Sequence, residues 1–580
     1  MRRDRLLVTV TLVTLLAADI HFVLLPRLKT WYHLPRESCA CRVTNDSLEN
    51  GGATTTVPWT TSQNFTVVST ERGSKLERLF RHPLYNIRLP ELGPDERLLQ
   101  EEELMNYCKK KVSRWERMKK FYMEAATASN ITILDHPVTF DPEASWLRFH
   151  LGINRYALYS RDDSGVDRLL RDMQTATVIS ADFTQDEKAL KGACDCSQVV
   201  KPSGLHLKLA LKLQDFGKAM FKPMRQERHE ETPENFFYFV DFQRHNAEIA
   251  AFHLDRVLDF RRVPPVVGRF INVTGEILYI THNEELRSVF FNSPANNTCF
   301  FAKCLYVCKS EYAVCGHPDL LEGSMSAYLP GLSIAPRISI PNPWIRAYSF
   351  TGREEWEVNP LYCDTVKKLY PYNSGNRLLN IIDMAIFDFL TGNMDRHHYE
   401  IFTKFGDDGF LLHLDNARGF GRHSDDEMSI LAPLTQCCMI KRSTLFRLKL
   451  LAKSEYRLSD VMRESLSRDP LSPVLTEDHL QALDRRLGHV LRTVGKCAKK
   501  LGEPQVVITD FVESSRVTTS HPRGNNRPDR QMMQHSQERD DLQISLHQQT
   551  HHSCGALTAQ QVAFPLIIRS FSVHFYTNNH

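Results

Sequence analysis

The sequence has almost no net charge, no long apolar run and no CxxC pair, and each shortage removes a class of function. Lys and Arg total 72 against 69 Asp and Glu, a formal charge of only +3, so the basic field of a nucleic-acid binder is missing. The apolar stretch near the start covers residues 6–18 before Asp19 interrupts it, too short for a comfortable membrane span. Behind Arg2, Arg3 and Arg5 it reads as a signal peptide or signal anchor over residues 1–25. None of the fourteen cysteines forms CxxC, and no second pair follows at zinc-finger distance, which argues against a structural zinc site.

What is present fits an oxidising compartment. Four cysteines crowd into residues 299–315 (Cys299, Cys304, Cys308, Cys315), and Cys437 and Cys438 are adjacent; disulfides are the better reading. Asn-x-Ser/Thr sequons stand at Asn45, Asn64, Asn130, Asn272 and Asn296. Together they predict targeting to the secretory pathway (ER and Golgi) and secretion. A chain of 580 residues, 42% of them hydrophobic, is too long for one ordinary core and long enough for a two-lobed body with appendages. Residues 26–100, rich in Thr, Asn, Ser and Gly, predict a flexible stalk. Residues 101–199 predict a helical segment and the start of a small lobe. Residues 200–330 and 331–505 predict the two lobes, and the polar stretch 506–580 a disordered tail.

Three stretches carry chemistry. In LHLKLALKLQDFGKAMFKP, residues 205–223, leucines alternate at 205, 207, 209, 211 and 213, the period of a half-buried strand. Asp215-Phe216-Gly217 then turns the chain into a second strand ending near Lys222; its DFG letters precede the lysine and are a decoy. A lone strand-end lysine would ordinarily be a surface residue. Next, DFQRHNAEIAAFHLD, residues 241–255, reads as an amphipathic helix with Gln243, Ala247, Ala250 and Leu254 on its inward stripe. Finally, residues 377–421 place an apolar helix up to Gly392, a loop bearing Asp395-Arg396-His397-His398, and two short strands joined at Asp408-Gly409, the second delivering Asp415. This order of lysine hairpin, helix, loop aspartate and strand-end aspartate is that of a phosphotransferase. One Asp would accept the hydroxyl proton and the other would hold a metal.

GNMDRHHYE, HLDNARGFG, RHNAEIAAFHLDR and the cysteine cluster resemble the Golgi casein kinase family of secretory-pathway kinases (family with sequence similarity twenty), most of all its pseudokinase member. The resemblance covers about residues 110–505. It implies an α+β, two-lobed, atypical protein-kinase-like fold, disulfide-stapled, with a β-rich small lobe carrying one helix and a larger helical lobe. Carried over by residue, Asp395 stands at the catalytic-Asp position and Asp415 at the metal- and nucleotide-binding one. Lys208 and Lys222 match phosphate-contacting lysines, and Ser326, Ala327, Tyr328 and Leu329 the linker at the adenine. The resemblance also implies Cys299–Cys315, Cys363–Cys437 and Cys438–Cys497 bridges; Cys194 and Cys196 fall outside the shared cysteines, so Cys304 and Cys308 either pair with each other, as in the family, or link to Cys194 and Cys196.

One departure matters most. Conventional kinases place an Asn metal ligand five residues after the catalytic Asp, where Glu400 stands here. In the resembled family a small-lobe glutamate supplies the ligand, and this chain has Gln243 at its position. A neutral amide gives one carbonyl oxygen and an NH₂ that repels a cation. One unit charge at about 4 Å is worth roughly 4 kcal/mol at an effective dielectric near 20, roughly a thousandfold in binding. Glu248, five residues on, would be turned about 140° away on a helix and displaced roughly 7.5 Å. The expectation is a pseudokinase with no functional catalytic residue and no metal. It would bind ATP without metal and pair with a catalytic secretory-kinase paralogue as heterodimer or heterotetramer, or with itself. Neither nucleic acid nor, beyond the N-terminal anchor, membrane is a partner. A weakly active secretory Ser/Thr kinase and a matrix glycoprotein with an inherited fold are the alternatives.

Overall fold

A computed structural model of the chain describes residues 74–86, 92–128, 140–161, 163–184, 207–233, 242–301, 310–348 and 352–510. The expected signal segment, Asn45, Asn64, Asn130, Cys194, Cys196, Cys304, Cys308 and the tail beyond 510 lie outside these residues.

The small lobe is built on an antiparallel sheet ordered β1-β2-β3-β8-β4. Its strands are β1 (Val178–Phe183), β2 (Leu209–Leu213), β3 (Lys218–Pro223), β4 (Val266–Asn272) and β8 (Leu320–Ala327); a side sheet joins β5 (Phe290–Asn292), β6 (Thr298–Phe300) and β7 (Val314–Cys315). In β2, Leu209, Leu211 and Leu213 are buried while Ala210 and Lys212 are not, as the alternation predicts. The register pairs Ala210 with Met220, Met220 with Ser326 and Lys222 with Ser324, so Lys208, Met220, Lys222 and the two serines share one face. Asp215-Phe216-Gly217 is the hairpin turn: Phe216 has φ 67° and the Asp215 carboxylate accepts from the Gly217 N–H at 2.9 Å.

Three of the helices precede the hairpin as the sequence predicts: α2 (Glu101–Ala128), α3 (Ser145–Gly152) and α4 (Ser164–Thr175). The predicted stalk ends early, however. Residues 75–81 form α1, whose N-cap Ser74 accepts from the Glu77 N–H, and Leu76, Leu79 and Tyr85 are buried. The Glu464 carboxylate takes the Ser74 hydroxyl and the Lys75 and Leu76 N–H groups. Polar composition concealed a few apolar anchors that reach the large lobe.

Helix α5 (His245–Val257) carries the lysine's partner, and α6 (Arg377–Thr391) ends at Gly392 in the left-handed conformation, the glycine cap expected. Helices α7 (Arg442–Leu451), α8 (Leu458–Leu466) and α9 (Glu477–Leu501) complete the large lobe. Its two-stranded ribbon differs from expectation. β10 (His398–Phe402) pairs with β9 (Arg337–Pro341), while residues 403–408 coil into 3₁₀ turns. Only a single bridge, Glu400 to Leu412, remains of the expected second strand. β9 takes one edge of β10, and on the other edge the Leu412 N–H donates to the Glu400 carbonyl at 2.9 Å.

Disulfides join Cys299–Cys315, Cys363–Cys437 and Cys438–Cys497, and Cys108 is free and buried. Cys363–Cys437 spans 74 residues, a loop whose closure restricts the unfolded chain by about 4 kcal/mol. Replacing both cysteines with alanine should lower unfolding free energy by about that amount in guanidinium titrations; a loss under about 1 kcal/mol would contradict it. Among the described sequons, Asn296 is exposed in a turn with φ 59°. Asn272 is half-buried, its side-chain oxygen accepting from the Gly275 N–H. Among the described residues no helix is long and apolar enough to cross a membrane.

Candidate nucleotide site

The centre of the site is an ion triad built from three elements. Lys222 Nζ on β3 lies 2.5 Å from Glu248 Oε1 on α5 and 2.7 Å from Asp415 Oδ1. The Lys222 side chain is 9% exposed, Glu248 6% and Asp415 60%, so the lysine is buried against one carboxylate and reaches outward to the other. Burial opposes the ammonium charge, but Asp415 and Glu248 outweigh it and hold the Lys222 pKa above the usual lysine value. Glu248 also accepts the Asn416 N–H at 3.1 Å, which fixes the residue after Asp415 to the small-lobe helix. Asp415 itself has φ 56°, a left-handed backbone that a non-glycine residue adopts at a cost.

Asp395 sits across the cleft on the loop after α6. Its Oδ1 accepts the Tyr348 hydroxyl at 2.6 Å, and Arg418 Nε approaches Oδ2 at 3.8 Å. Burial pushes its carboxyl above the usual range, against the Tyr348 hydrogen bond and the Arg418 charge. Arg396, buried beside it, binds the Asp388 carboxylate and Asn416 Oδ1 (2.7 Å) and donates to the Leu414 carbonyl. This one guanidinium therefore ties the Asp395 loop to the Asp415 loop. Glu400, at the conventional Asn position, faces away and pairs with Arg337 at 3.2 Å.

Gln243 is not on the helix, contrary to the stripe read from the sequence. Helix α5 starts at His245, with Arg244 as its extended N-cap. Residues 245–255 are buried all round, so their apolar spacing does not mark a single inward face. Gln243 is half-buried in the irregular segment that leads into α5. The Arg244 N–H donates to the Ala417 carbonyl at 2.9 Å, and the Arg418 guanidinium to the Phe242 carbonyl at 3.5 Å. The lead-in is thus stitched to the chain that follows Asp415, which puts Gln243 on the Asp415 side of the cleft. Glu248 is committed to Lys222 and Asn416, a firmer reason than helix geometry why it does not replace Gln243.

Ser326 and Ala327 end β8, the middle strand between β3 and β4. The Tyr328 N–H donates to the Lys218 carbonyl, and the Tyr328 carbonyl meets His150 Nε2 at 2.9 Å. Lys208 lies just before β2 on the face it shares with Lys222. Ser324 Oγ, register partner of Lys222, is buried without a hydrogen-bond partner among the described residues. Lysines on one face and an unsatisfied buried hydroxyl beside them suit the phosphates of a nucleotide. The same cleft suits a divalent ion poorly. Asp395 is taken by Tyr348 and Asp415 by Lys222, where a divalent ion needs free anionic oxygens. Among the described residues no group of three or more His, Cys, Asp and Glu side chains is placed to hold a metal.

Sequence reasoning found the lysine and both aspartates but missed Glu248, Arg396, Tyr348 and Arg418. RHNAE, with an acid one turn inside a helix behind a strand lysine, held the signal for Glu248. Tyr348 lies 47 residues from its partner, with no local pattern to mark it.

A sheet with one buried helix, an internal lysine–glutamate pair and aspartates on two large-lobe loops define a two-lobed protein-kinase-like fold. The family model described as Golgi casein kinase, C-terminal, Fam20 matches residues 144–506, and the chain belongs to that family. It is 62% identical over 531 residues to the mouse (Mus musculus) protein named pseudokinase FAM20A, covering 89% of this chain and 97% of the relative. It is 47% identical over 449 residues to the human (Homo sapiens) extracellular serine/threonine protein kinase FAM20C, covering 77% of this chain and 73% of the relative. The solved structure of the Golgi casein kinase with Mn/ADP bound superposes with a TM-score of 0.58 at 38% identity, over 63% of this chain and 83% of that one.

Proposed function

We propose that this chain is a secretory-pathway pseudokinase that binds ATP without productive metal chemistry. It allosterically activates a catalytic paralogue that phosphorylates secreted Ser-x-Glu proteins, in the biomineralisation of enamel and bone. The observation that carries the reading is Gln243. A neutral amide stands beside the Asp415 loop where a kinase of this family would use a carboxylate. Lys208, Lys222 and Ser326–Leu329 remain to hold a nucleotide. The names of the relatives support a non-catalytic member among secretory kinases. The N-terminal helical region and small lobe are the surfaces offered to the partner, in a heterodimer or heterotetramer.

A second reading, a weakly active secretory Ser/Thr kinase, draws on Asp395, Asp415 and the intact Lys222–Glu248 pair. The partner claim is tested by mixing the purified secreted chain with a catalytic secretory-kinase paralogue. Complex formation is read by light scattering and phosphorylation of a Ser-x-Glu peptide is timed. A stable complex and a faster rate are expected. No complex and no rate change would contradict the reading and leave a matrix role.

A further inference from the structure

Beside the linker, with Ala327, Tyr328 and Leu329 on its wall and without Lys222, Asp395 or Asp415, lies a cavity of about 380 Å³. That is within the range of small-molecule sites. Its walls come from α2, α3, the β2–β3 turn and the linker, and they include Trp115, Trp146, Phe149 and Tyr328. Helix α2 precedes the residues that the family model matches, so this wall lies outside the part of the chain by which the family is recognised.

The polar groups on the wall are unevenly satisfied. Asp172 already accepts the Ser145 hydroxyl, and Asp215 the Gly217 N–H. The donors are less well served. Trp115 Nε1 is buried with no hydrogen-bond partner among the described residues. Among the described residues Lys212 Nζ lies over the Trp115 ring, 3.5 Å from its centroid, and makes no salt bridge. Lys111 and Lys218 line the same cavity. An unsatisfied indole N–H and an ammonium without a carboxylate partner among the described residues, in a largely apolar cavity, ask for an acceptor that carries negative charge.

We propose that this cavity binds an amphipathic organic anion, its carboxylate, sulfonate or phosphate head at Lys212 and Trp115 Nε1 and its apolar or aromatic body against Trp146, Phe149 and Tyr328. The lysine's state is consistent with an empty place for charge. Burial, then Lys218 and Lys111, lower its pKa to about 7, with Asp182 opposing. A bound anion would restore the charge.

The cavity shares Tyr328 and Leu329 with the linker assigned to the nucleotide, and competition with ATP separates the two sites. The full secreted chain is titrated with 8-anilinonaphthalene-1-sulfonate, following fluorescence. One saturable site per chain is expected, displaced by dodecanoate and not by dodecylamine or by excess ATP. Lys212→Met should weaken the probe at least tenfold and leave ATP binding unchanged; Trp115→Phe should weaken it less. Displacement by dodecylamine as readily as by dodecanoate would overturn the proposal without any variant. So would competition by ATP, unsaturable binding, or equal affinity in Lys212→Met.

Discussion

Gln243→Glu should create metal-dependent phosphotransfer to a Ser-x-Glu peptide, with a gain on the order of a thousandfold over the unmodified chain. The size follows from one restored charge at about 4 Å, roughly 4 kcal/mol at an effective dielectric near 20. The surroundings are ready for it. The lead-in to α5 is held by the Arg244–Ala417 hydrogen bond and by Arg418 on the Phe242 carbonyl, so the backbone that carries the new carboxylate is anchored to the chain just after Asp415. Glutamate keeps the size of glutamine, so the fold should be indifferent. The assay is peptide phosphorylation with Mn²⁺ and ATP, beside the same variant carrying Asp395→Asn, which should remove the gain. Equal activity in the unmodified chain and Gln243→Glu would mean that the amide is not what silences the site.

The second large effect is on stability. Lys222→Met removes the cation that pairs with both Glu248 and Asp415 and leaves buried Glu248 with the Asn416 N–H as its hydrogen-bond partner among the described residues. Breaking a buried pair from one side costs about 3–5 kcal/mol, because the other charge is stranded. Asp415, more than half exposed, adds little once water screens it. Denaturant unfolding should show the loss, and Lys222→Met combined with Glu248→Met should recover much of it, since no buried charge then remains. Both variants should lose ATP binding. A loss under about 1 kcal/mol for the single variant would show that the triad does not couple the lobes.

Much of this was legible from local pattern. The leucine alternation placed β2, Asp215-Phe216-Gly217 placed the turn, and Gly392 placed the end of α6, because each depends on neighbours a few residues away. Partnerships across the fold were not legible. Tyr348 with Asp395, Arg396 with Asn416 and Ser74 with Glu464 depend on how the lobes close, which no periodicity encodes. Gln243 lies between these cases. Its identity was readable, but its setting was misread, because a helix buried on all sides has no polar face to phase it. The residues on either side of Gln243, Phe242 and Arg244, hydrogen-bond to Arg418 and Ala417 just after Asp415.

The central claim is that this cleft holds ATP without needing a metal. Isothermal titration of the secreted chain with ATP, once in EDTA and once in Mn²⁺, tests it most directly, with Lys222→Met as the control for the site. The account predicts saturable binding in EDTA, changed little by Mn²⁺ and abolished by Lys222→Met. Binding that appears only with Mn²⁺ would contradict it.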